Sequence, residues 1–334
     1  MDYRRLGRTG LKVSSLCMGT MTFGTNDWGV GSLQQPEVNE MVAACLDHGV
    51  NFFDTANVYS AGQSEEVLGR AIQGRRDRLI IATKVRGRMS EDVNDVGLSR
   101  RHILAEVDAS LRRLGTDYID LYQTHCWDAL TPLEETLQTL DTLVRAGKVR
   151  YIGCSNYTAW QIERAQAVSE RHGWVRYETL QPWYSLVGRD IEPEIVPVVQ
   201  DHGMGILPWS PLGGSFLAGR YRRGQPRPED SRRADREKAF LPIDEEKGFD
   251  VVEKLHEIGA AHDASPAQVA LNWLRAKPYV NSGIIGARTM PELLDNLKSA
   301  GWELTAEEVT ALDAVSAIPL AYPGWFIKSN HTNR

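Results

Sequence analysis

Eight short apolar runs recur along this chain, each followed by a polar loop and an amphipathic helical pattern, and that alternation leaves few folds open. The runs are Leu16–Thr20, Asn51–Asp54, Leu79–Lys84, Tyr118–His125, Val149–Ser155, Thr179–Gln181, Gly205–Ser210 and Ser282–Gly286. Helical spacing is found at Glu37–His48, Glu65–Ile72, Arg101–Leu114, Leu133–Ala146, Ala159–His172, Glu194–His202, Pro266–Ala276 and Pro291–Ser299. Eight strands alternating with eight helices predict an α/β fold of the (β/α)8 TIM barrel type, because parallel strands need a crossover between each pair. The competing doubly wound sheet would carry G-x-G-x-x-G after its first strand, and the chain has none. An alternating pair, Tyr3–Leu6 and Leu11–Leu16, predicts an N-terminal β-hairpin, and extra helices are expected at Phe249–Ala261 and Ala306–Ala317. With no linker to divide it, the sequence reads as a single domain over 1–334.

The last residue of each run carries the chemistry. Barrel interiors fill with branched apolar side chains, yet these runs end in Asp54, Lys84, His125, Ser155-Asn156, Gln181 and Ser210, which are expensive to bury. C-terminal strand ends of a barrel meet at one mouth, so these residues converge there. Singly, each has a plain structural explanation as a helix cap, a snorkelling lysine or a satisfied histidine. Jointly they do not: a buried Lys84 needs a counter-charge, and Asp54 supplies it. Tyr59 follows in the loop above the same mouth. An ammonium beside a phenol lowers its pKa, so Tyr59 is expected to serve as general acid, with Lys84 supplying the charge, Asp54 holding Lys84, and His125 binding a substrate oxygen. Protonating a carbonyl oxygen while its carbon takes a hydride fits that set, with Ser155, Asn156 and Gln181 able to bind a carboxamide.

These residues sit within motifs that resemble the aldo-keto reductase superfamily. The motifs are Asn51-Phe52-Phe53-Asp54-Thr55-Ala56, Tyr59, Ser64-Glu65, Leu68-Gly69, Ala82-Thr83-Lys84, Ser110-Leu111-Arg112-Arg113-Leu114, Tyr118-Ile119-Asp120-Leu121, His125, Gly147-Lys148-Val149-Arg150, Gly153-Cys154-Ser155-Asn156 and Trp209-Ser210-Pro211-Leu212. They occur in order, the resemblance covers nearly the whole chain from Leu6 to about Leu312, and the chain looks most similar to the bacterial branch that also resembles potassium-channel β subunits and sugar or pyridoxal reductases. The resemblance implies an NADP-dependent oxidoreductase that reduces an aldehyde or ketone to an alcohol, with Asp54, Tyr59, Lys84 and His125 as its catalytic tetrad. It also implies cofactor contacts from Gly19, Thr20, Met21 and Asp54 on one side of the mouth. Ser155, Asn156 and Gln181 would hold the nicotinamide carboxamide, and Trp209 would stack on its ring. The stretch Ser210–Arg220, with Leu212 and Gly214, would wrap the pyrophosphate. Gly286, Arg288, Asp295 and Asn296 would hold the adenosine end, Arg288 reading the 2′-phosphate. Two positions depart from the family's pattern: Ser215 stands where relatives commonly carry glycine, and Ile285 stands where proline often precedes the glycine matching Gly286.

Substrate contacts are expected from Trp28, Tyr59, His125 and Trp127, with Trp183 nearby, although each tryptophan equally suits packing under a loop. The stretch Arg220–Lys247 holds nine basic and seven acidic residues, so it is either a disordered excursion or a lid over the mouth. Two other readings belong beside the reductase: a nicotinamide-binding, redox-sensing subunit with little turnover, and a Schiff-base lyase using a low-pKa Lys84. A net charge of 38 − 44 = −6 argues against nucleic acid as partner, and a small-molecule carbonyl substrate is expected instead. Eight histidines without H-x-x-x-H spacing argue against a metal. Cysteines at 17, 45, 126 and 154 show no C-x-x-C, and no apolar run approaches a membrane span, so a cytoplasmic location is expected. Oligomeric state is not legible from one sequence.

Overall fold

A computed structural model of the chain describes residues 1–25, 32–227 and 240–330. Strands β1 (Tyr3–Arg5) and β2 (Lys12–Ser14) pair antiparallel as the expected hairpin. Eight further strands follow: β3 (Leu16–Gly19), β4 (Phe52–Asp54), β5 (Ile80–Val85), β6 (Ile119–Thr124), β7 (Val149–Ser155), β8 (Tyr177–Gln181), β9 (Gly205–Ile206) and β10 (Gly283–Ile285). They form one parallel sheet in the order β10-β3-β4-β5-β6-β7-β8-β9. At the seam, Ile206 bridges Val280 and the Ile284 N–H donates to the Pro208 carbonyl at 2.9 Å, which brings β9 to β10. This is the (β/α)8 barrel that the alternation predicts. Ile285, despite standing where proline is common, pairs with Met18 in regular register.

The crossovers are helices α1 (Gln35–Asp47), α2 (Gln63–Ala71), α3 (Arg100–Leu114), α4 (Leu133–Arg145), α5 (Ala159–His172) and α6 (Ile195–Asp201), then α7 (Glu245–His262), α8 (Pro266–Arg275), α9 (Met290–Lys298), α10 (Ala306–Val315) and α11 (Gly324–Asn330). Several bounds differ from expectation by a few residues, and two of the differences have a clear cause. Helix α7 starts at Glu245 rather than Phe249, because Asp244 caps it by accepting the Lys247 N–H and acidic Glu245 and Glu246 suit the positive end of the helix. Lys247 therefore belongs to the helix and not to the charged loop. Strand β9 stops at Ile206, four residues short of Ser210, since Pro208 has no N–H to give the sheet. Helix α11 had no counterpart in the sequence reading.

Side-chain alternation sorts the barrel. Cys17, Phe52, Ala82, Leu121, Leu207 and Ile284 face inward and form a small core, closed from below by Leu6 and Val13 of the hairpin. Their neighbours Leu16, Met18, Phe53, Ile81 and Ile206 face outward and join the larger core under the helices. Each fully buried side chain of this kind contributes about 1.5–3 kcal/mol of transfer free energy. Gly7 is required at the plug, where it takes φ +54 and a Cβ would lie 2.4 Å from the Glu178 carbonyl oxygen. Arg4 fastens the hairpin to the segment between α8 and β10 by donating to the carbonyls of Val280 and Arg275, while Arg275 pairs with Asp2 at 2.9 Å. The floor is thus sealed, and polar groups two residues further along each strand stand on an apolar base.

Candidate active site

Position along the inward face brings the polar strand ends together: Asp54 lies two residues past Phe52, Lys84 two past Ala82, and Gln123 two past Leu121. Lys84 is fully buried, and its ammonium donates to Asp54 Oδ1 at 2.5 Å, to the Thr55 carbonyl at 2.8 Å and to Tyr59 Oη at 3.2 Å. An ammonium has three protons, so all of its hydrogen-bonding capacity is used. The other Asp54 oxygen accepts from Gln123 Nε2 at 3.0 Å and Gln181 Nε2 at 2.8 Å. A buried ion pair survives only when its remaining lone pairs are satisfied, and the two glutamines satisfy them. Gln123 was not singled out from the sequence. Its parity with His125 inside one run is the signal that would have found it.

Tyr59 opens a short 3-10 turn after β4, half-buried, with its ring edge-on to His125 at a centroid distance of 5.8 Å. The His125 N–H is fixed by the Val85 carbonyl at 2.9 Å. So Asp54, Lys84, Tyr59 and His125 are contiguous. The expected depression of the phenol pKa is not found: burial raises Tyr59 above its ordinary value of 10.0, Lys84 pulls the other way, and Asp54 adds to the rise. The main cause is the burial of the phenol, which outweighs the pull of Lys84, and the Asp54 charge beside the ammonium weakens that pull further. Burial works against the Lys84 ammonium too, but Asp54 and then Tyr59 more than offset it, so its pKa is raised. Such a lysine is a poor Schiff-base nucleophile, because that role needs the neutral amine, and the lyase reading loses its premise. Burial, then the charges of Lys84 and Arg86, lowers His125 to about 3, so its imidazole is neutral.

Further round the mouth, Ser155 donates to the Gln181 carbonyl at 2.7 Å. Asn156 donates to the His125 carbonyl at 2.9 Å and accepts from the Trp209 indole N–H at 3.1 Å. Gln181 spends its amide N–H groups on Asp54 and Gln123. Trp209, half-buried, follows β9 and lies 6.4 Å from Trp183 and 6.2 Å from Phe240, between ring centroids. Non-glycine residues with positive φ, among the described residues, are Ser60, Ala61, Arg86, Asn156, Ser210, Ser215 and Asp263. All but Asp263 follow the C-terminal end of a barrel strand, which places stored backbone strain at the mouth. Gly213, Gly214 and Ser215 take φ 58, 64 and 74 in succession. Ser215 therefore occupies a backbone conformation that glycine adopts at no steric cost, which explains why its position is a glycine position.

Gly19 lies 2.7 Å, measured from an ideal Cβ, from Ile284 Cγ2, so the backbone of β3 is pressed against β10. Thr20 is buried and bound to Ser64 Oγ at 2.8 Å, while Met21 is half-buried beside it. Thr22 reaches the Ala287 carbonyl at 3.2 Å. Beyond Gly286, Arg288 donates its N–H to Glu292 at 2.8 Å and its guanidinium to the same carboxylate at 3.4 Å. Asp295 accepts from Ser265 and Gln268 at 2.6 Å each, and buried Asn296 donates to the Gly286 carbonyl at 3.3 Å. Arg223, just past exposed Arg220, is tied to Glu246 and Asp250 on α7, and Arg227 to Glu245. The rest of the charged stretch, 228–239, and Trp28 lie outside the described residues. Trp127 packs edge-on against Tyr157 at 5.2 Å and Trp160 at 5.6 Å. The four cysteines are unbridged, and no helix among the described residues is long and apolar enough to cross a membrane.

Comparison with known proteins agrees with this geometry. The family model described as the Aldo/keto reductase family matches residues 15–317. An uncharacterized oxidoreductase of Bacillus subtilis is 38% identical over 94% of this chain and 96% of its own length. The versiconal hemiacetal acetate reductase of Aspergillus parasiticus is 34% identical over 97% and 99%, and a probable voltage-gated potassium channel subunit beta of Arabidopsis thaliana is 37% identical over 90% and 91%.

Proposed function

Because the chain belongs to the aldo/keto reductase family, an oxidoreductase family by the names of its relatives, we propose that it reduces an aldehyde or ketone to an alcohol, with Tyr59 as general acid. The observation that carries the reading is the Asp54–Lys84–Tyr59 chain of hydrogen bonds, with the neutral His125 beside the phenol. A Tyr59 pKa above 10 keeps the phenol protonated at neutral pH, which is the form a proton donor must hold. Lys84 acts as the proton leaves: burial makes an isolated phenolate costly, and the ammonium 3.2 Å away stabilises it as it forms. His125, with one ring N–H in either tautomer, orients the substrate oxygen between itself and the phenol. Removing the phenol hydroxyl in Tyr59→Phe is expected to lower turnover by at least ~10²-fold, the scale of a lost general acid, with cofactor affinity little changed. Wild-type turnover in that variant, with the chemical step shown to limit the rate, would overturn the assignment.

A nicotinamide dinucleotide supplies the hydride when bound. Support for its place comes from the consecutive positive-φ residues at 213–215, a turn of the kind that can present backbone amides to phosphate oxygens, although the Gly213 N–H itself is taken by the Ser210 carbonyl at 2.9 Å. Ser155, Asn156 and Gln181 would then hold the carboxamide, Trp209 the ring, the Ser210–Arg220 segment the pyrophosphate, and Gly19, Thr20 and Met21 the opposite rim. Gly286, Arg288, Asp295 and Asn296 would frame the adenosine. Arg288 favours NADP over NAD, since a guanidinium pairs with a 2′-phosphate and gains nothing comparable from a hydroxyl. The channel β relatives raise a sensing role, but the complete tetrad supports turnover, and an oxidation assay with simple aldehydes separates the two.

A further inference from the structure

Arg86 plays no part in the chemistry described so far, yet it stands between the two halves of the site. It follows the last residue of β5, two positions after Lys84. On one side, its neighbour Gly87 packs so closely on Val58, next to Tyr59, that a Cβ would lie 2.6 Å from the Val58 Cβ. On the other, Arg86 Nε donates to the Trp127 carbonyl at 3.2 Å, in the loop that begins with His125. A bracket of that kind leaves the guanidinium at the mouth, partly exposed.

Three features set this arginine apart from a structural one. Its backbone has φ 138, a region that a side-chain-bearing residue rarely adopts, so the chain bears a steric cost to keep an arginine there. Nε is used, but neither terminal nitrogen has a hydrogen-bond partner among the described residues. The nearby carboxylate that would make a bland partner, Asp128, is spent on the Leu98 and Leu130 N–H groups and the Thr131 hydroxyl, and forms no ion pair with Arg86. With Asp54 balancing Lys84 and His125 neutral, Arg86 is a positive charge at the mouth that Asp128 meets only at a distance, without a hydrogen bond to its terminal nitrogens.

We propose that Arg86 is a substrate-recognition residue and that this enzyme takes carbonyl compounds bearing an anionic group, a carboxylate or a phosphate ester. The terminal nitrogens of a guanidinium form a fork that matches both anions, and hydrogen bonds to a charged group are the strong class. His125, pushed down by burial and then by the charges of Lys84 and Arg86, stays neutral and so does not compete for the anion. The inference rests on the reductase reading, which supplies the carbonyl half of the substrate.

The test compares kcat/KM for 4-formylbenzoate and for 4-formylphenyl phosphate with that for methyl 4-formylbenzoate, in wild type, Arg86→Gln and Arg86→Gly. Glycine suits the positive φ and guards against misfolding of the first variant. Wild type should prefer at least one anion by tenfold or more, and the larger ratio names the anion. Both variants should reduce that ratio by about 10- to 100-fold, the factor that a lost hydrogen bond to a charged group represents. A wild-type ratio near one, or a ratio unchanged in the variants, overturns the proposal. Calorimetric binding of 4-(hydroxymethyl)benzoate, which needs no hydride, separates the two failures. Arg86-dependent binding without turnover of any aldehyde would sink the reductase reading and keep the anion site, whereas turnover of the methyl ester without anion preference would do the reverse.

Discussion

Replacing Lys84 with methionine keeps the length and apolar stem of the side chain and removes its charge. In the structure that deletes a 2.5 Å pair to Asp54 together with the donors to the Thr55 carbonyl and Tyr59. Asp54 keeps two amide donors, from Gln123 and Gln181, but faces the methionine as a buried anion with no counter-charge. Breaking a buried pair from one side costs about 3–5 kcal/mol, so Lys84→Met should lose that much stability at pH 7. Asp54→Asn, which leaves the ammonium unbalanced, should cost a similar amount. The double variant Lys84→Met/Asp54→Asn has no orphaned charge and retains the glutamine contacts to one amide oxygen. Its cost reduces to an imperfectly bonded amide and a lost backbone contact, about 1–3 kcal/mol. The cycle therefore predicts a coupling of at least about 3 kcal/mol, read from guanidinium unfolding followed by circular dichroism with reversibility checked for each protein. Additive losses, equal within about 0.5 kcal/mol to the sum of the single variants, would show that the two charges do not depend on each other and would remove the argument for their convergence at the mouth.

Three further outcomes follow from the site. His125 is held near 3 in the folded chain and titrates near 6.5 when unfolded, so the unfolded state binds its proton first and stability falls as pH drops below 6.5; His125→Gln should remove up to about 1.4 kcal/mol per pH unit of that dependence between pH 6.5 and 5, and identical wild-type and variant slopes would refute it. Ser215→Gly should stabilise the fold by about 1 kcal/mol, the left-handed penalty less the entropy of a glycine, and a loss of stability in denaturant titration would contradict the assigned backbone. Arg288→Ala should weaken NADPH binding about 10- to 100-fold more than NADH binding, measured as dissociation constants by fluorescence; equal losses would mean that the Glu292-bound guanidinium does not meet the 2′-phosphate.

Much of the site was legible because burial of polar groups is costly: Asp54, Lys84 and His125 stand out at the ends of apolar runs for that reason alone. Gln123 did not, since an uncharged amide inside Tyr118–His125 reads as one tolerated polar residue until the parity with His125 is counted. Arg86 escaped because an arginine past a strand end is ordinary in sequence, and only its φ and its place between Tyr59 and Trp127 mark it. The direction of the Tyr59 shift was misjudged for a related reason. A sequence shows which charges are near but not how Asp54 divides the Lys84 field or how deeply the ring is enclosed. The early start of α7 was hidden by its Asp-Glu-Glu-Lys opening, whose charge density looks like a loop although an aspartate followed by acids is a good helix start.

The hairpin plug also sets an order of assembly on the ribosome. Arg4 and Asp2 find their partners at Arg275 and Val280, so residues 2–4 wait for a segment about 270 positions later before the barrel floor can be tied. At a synthesis rate of about 5–20 residues per second, roughly 14–56 s pass between the two. Throughout that interval β3 lacks its β10 neighbour and the apolar faces of Leu6 and Val13 have no completed ring to close. The nascent chain is thus an open, edge-bearing sheet for most of its synthesis, and the period of greatest exposure to aggregation ends only when residues 275–285 emerge.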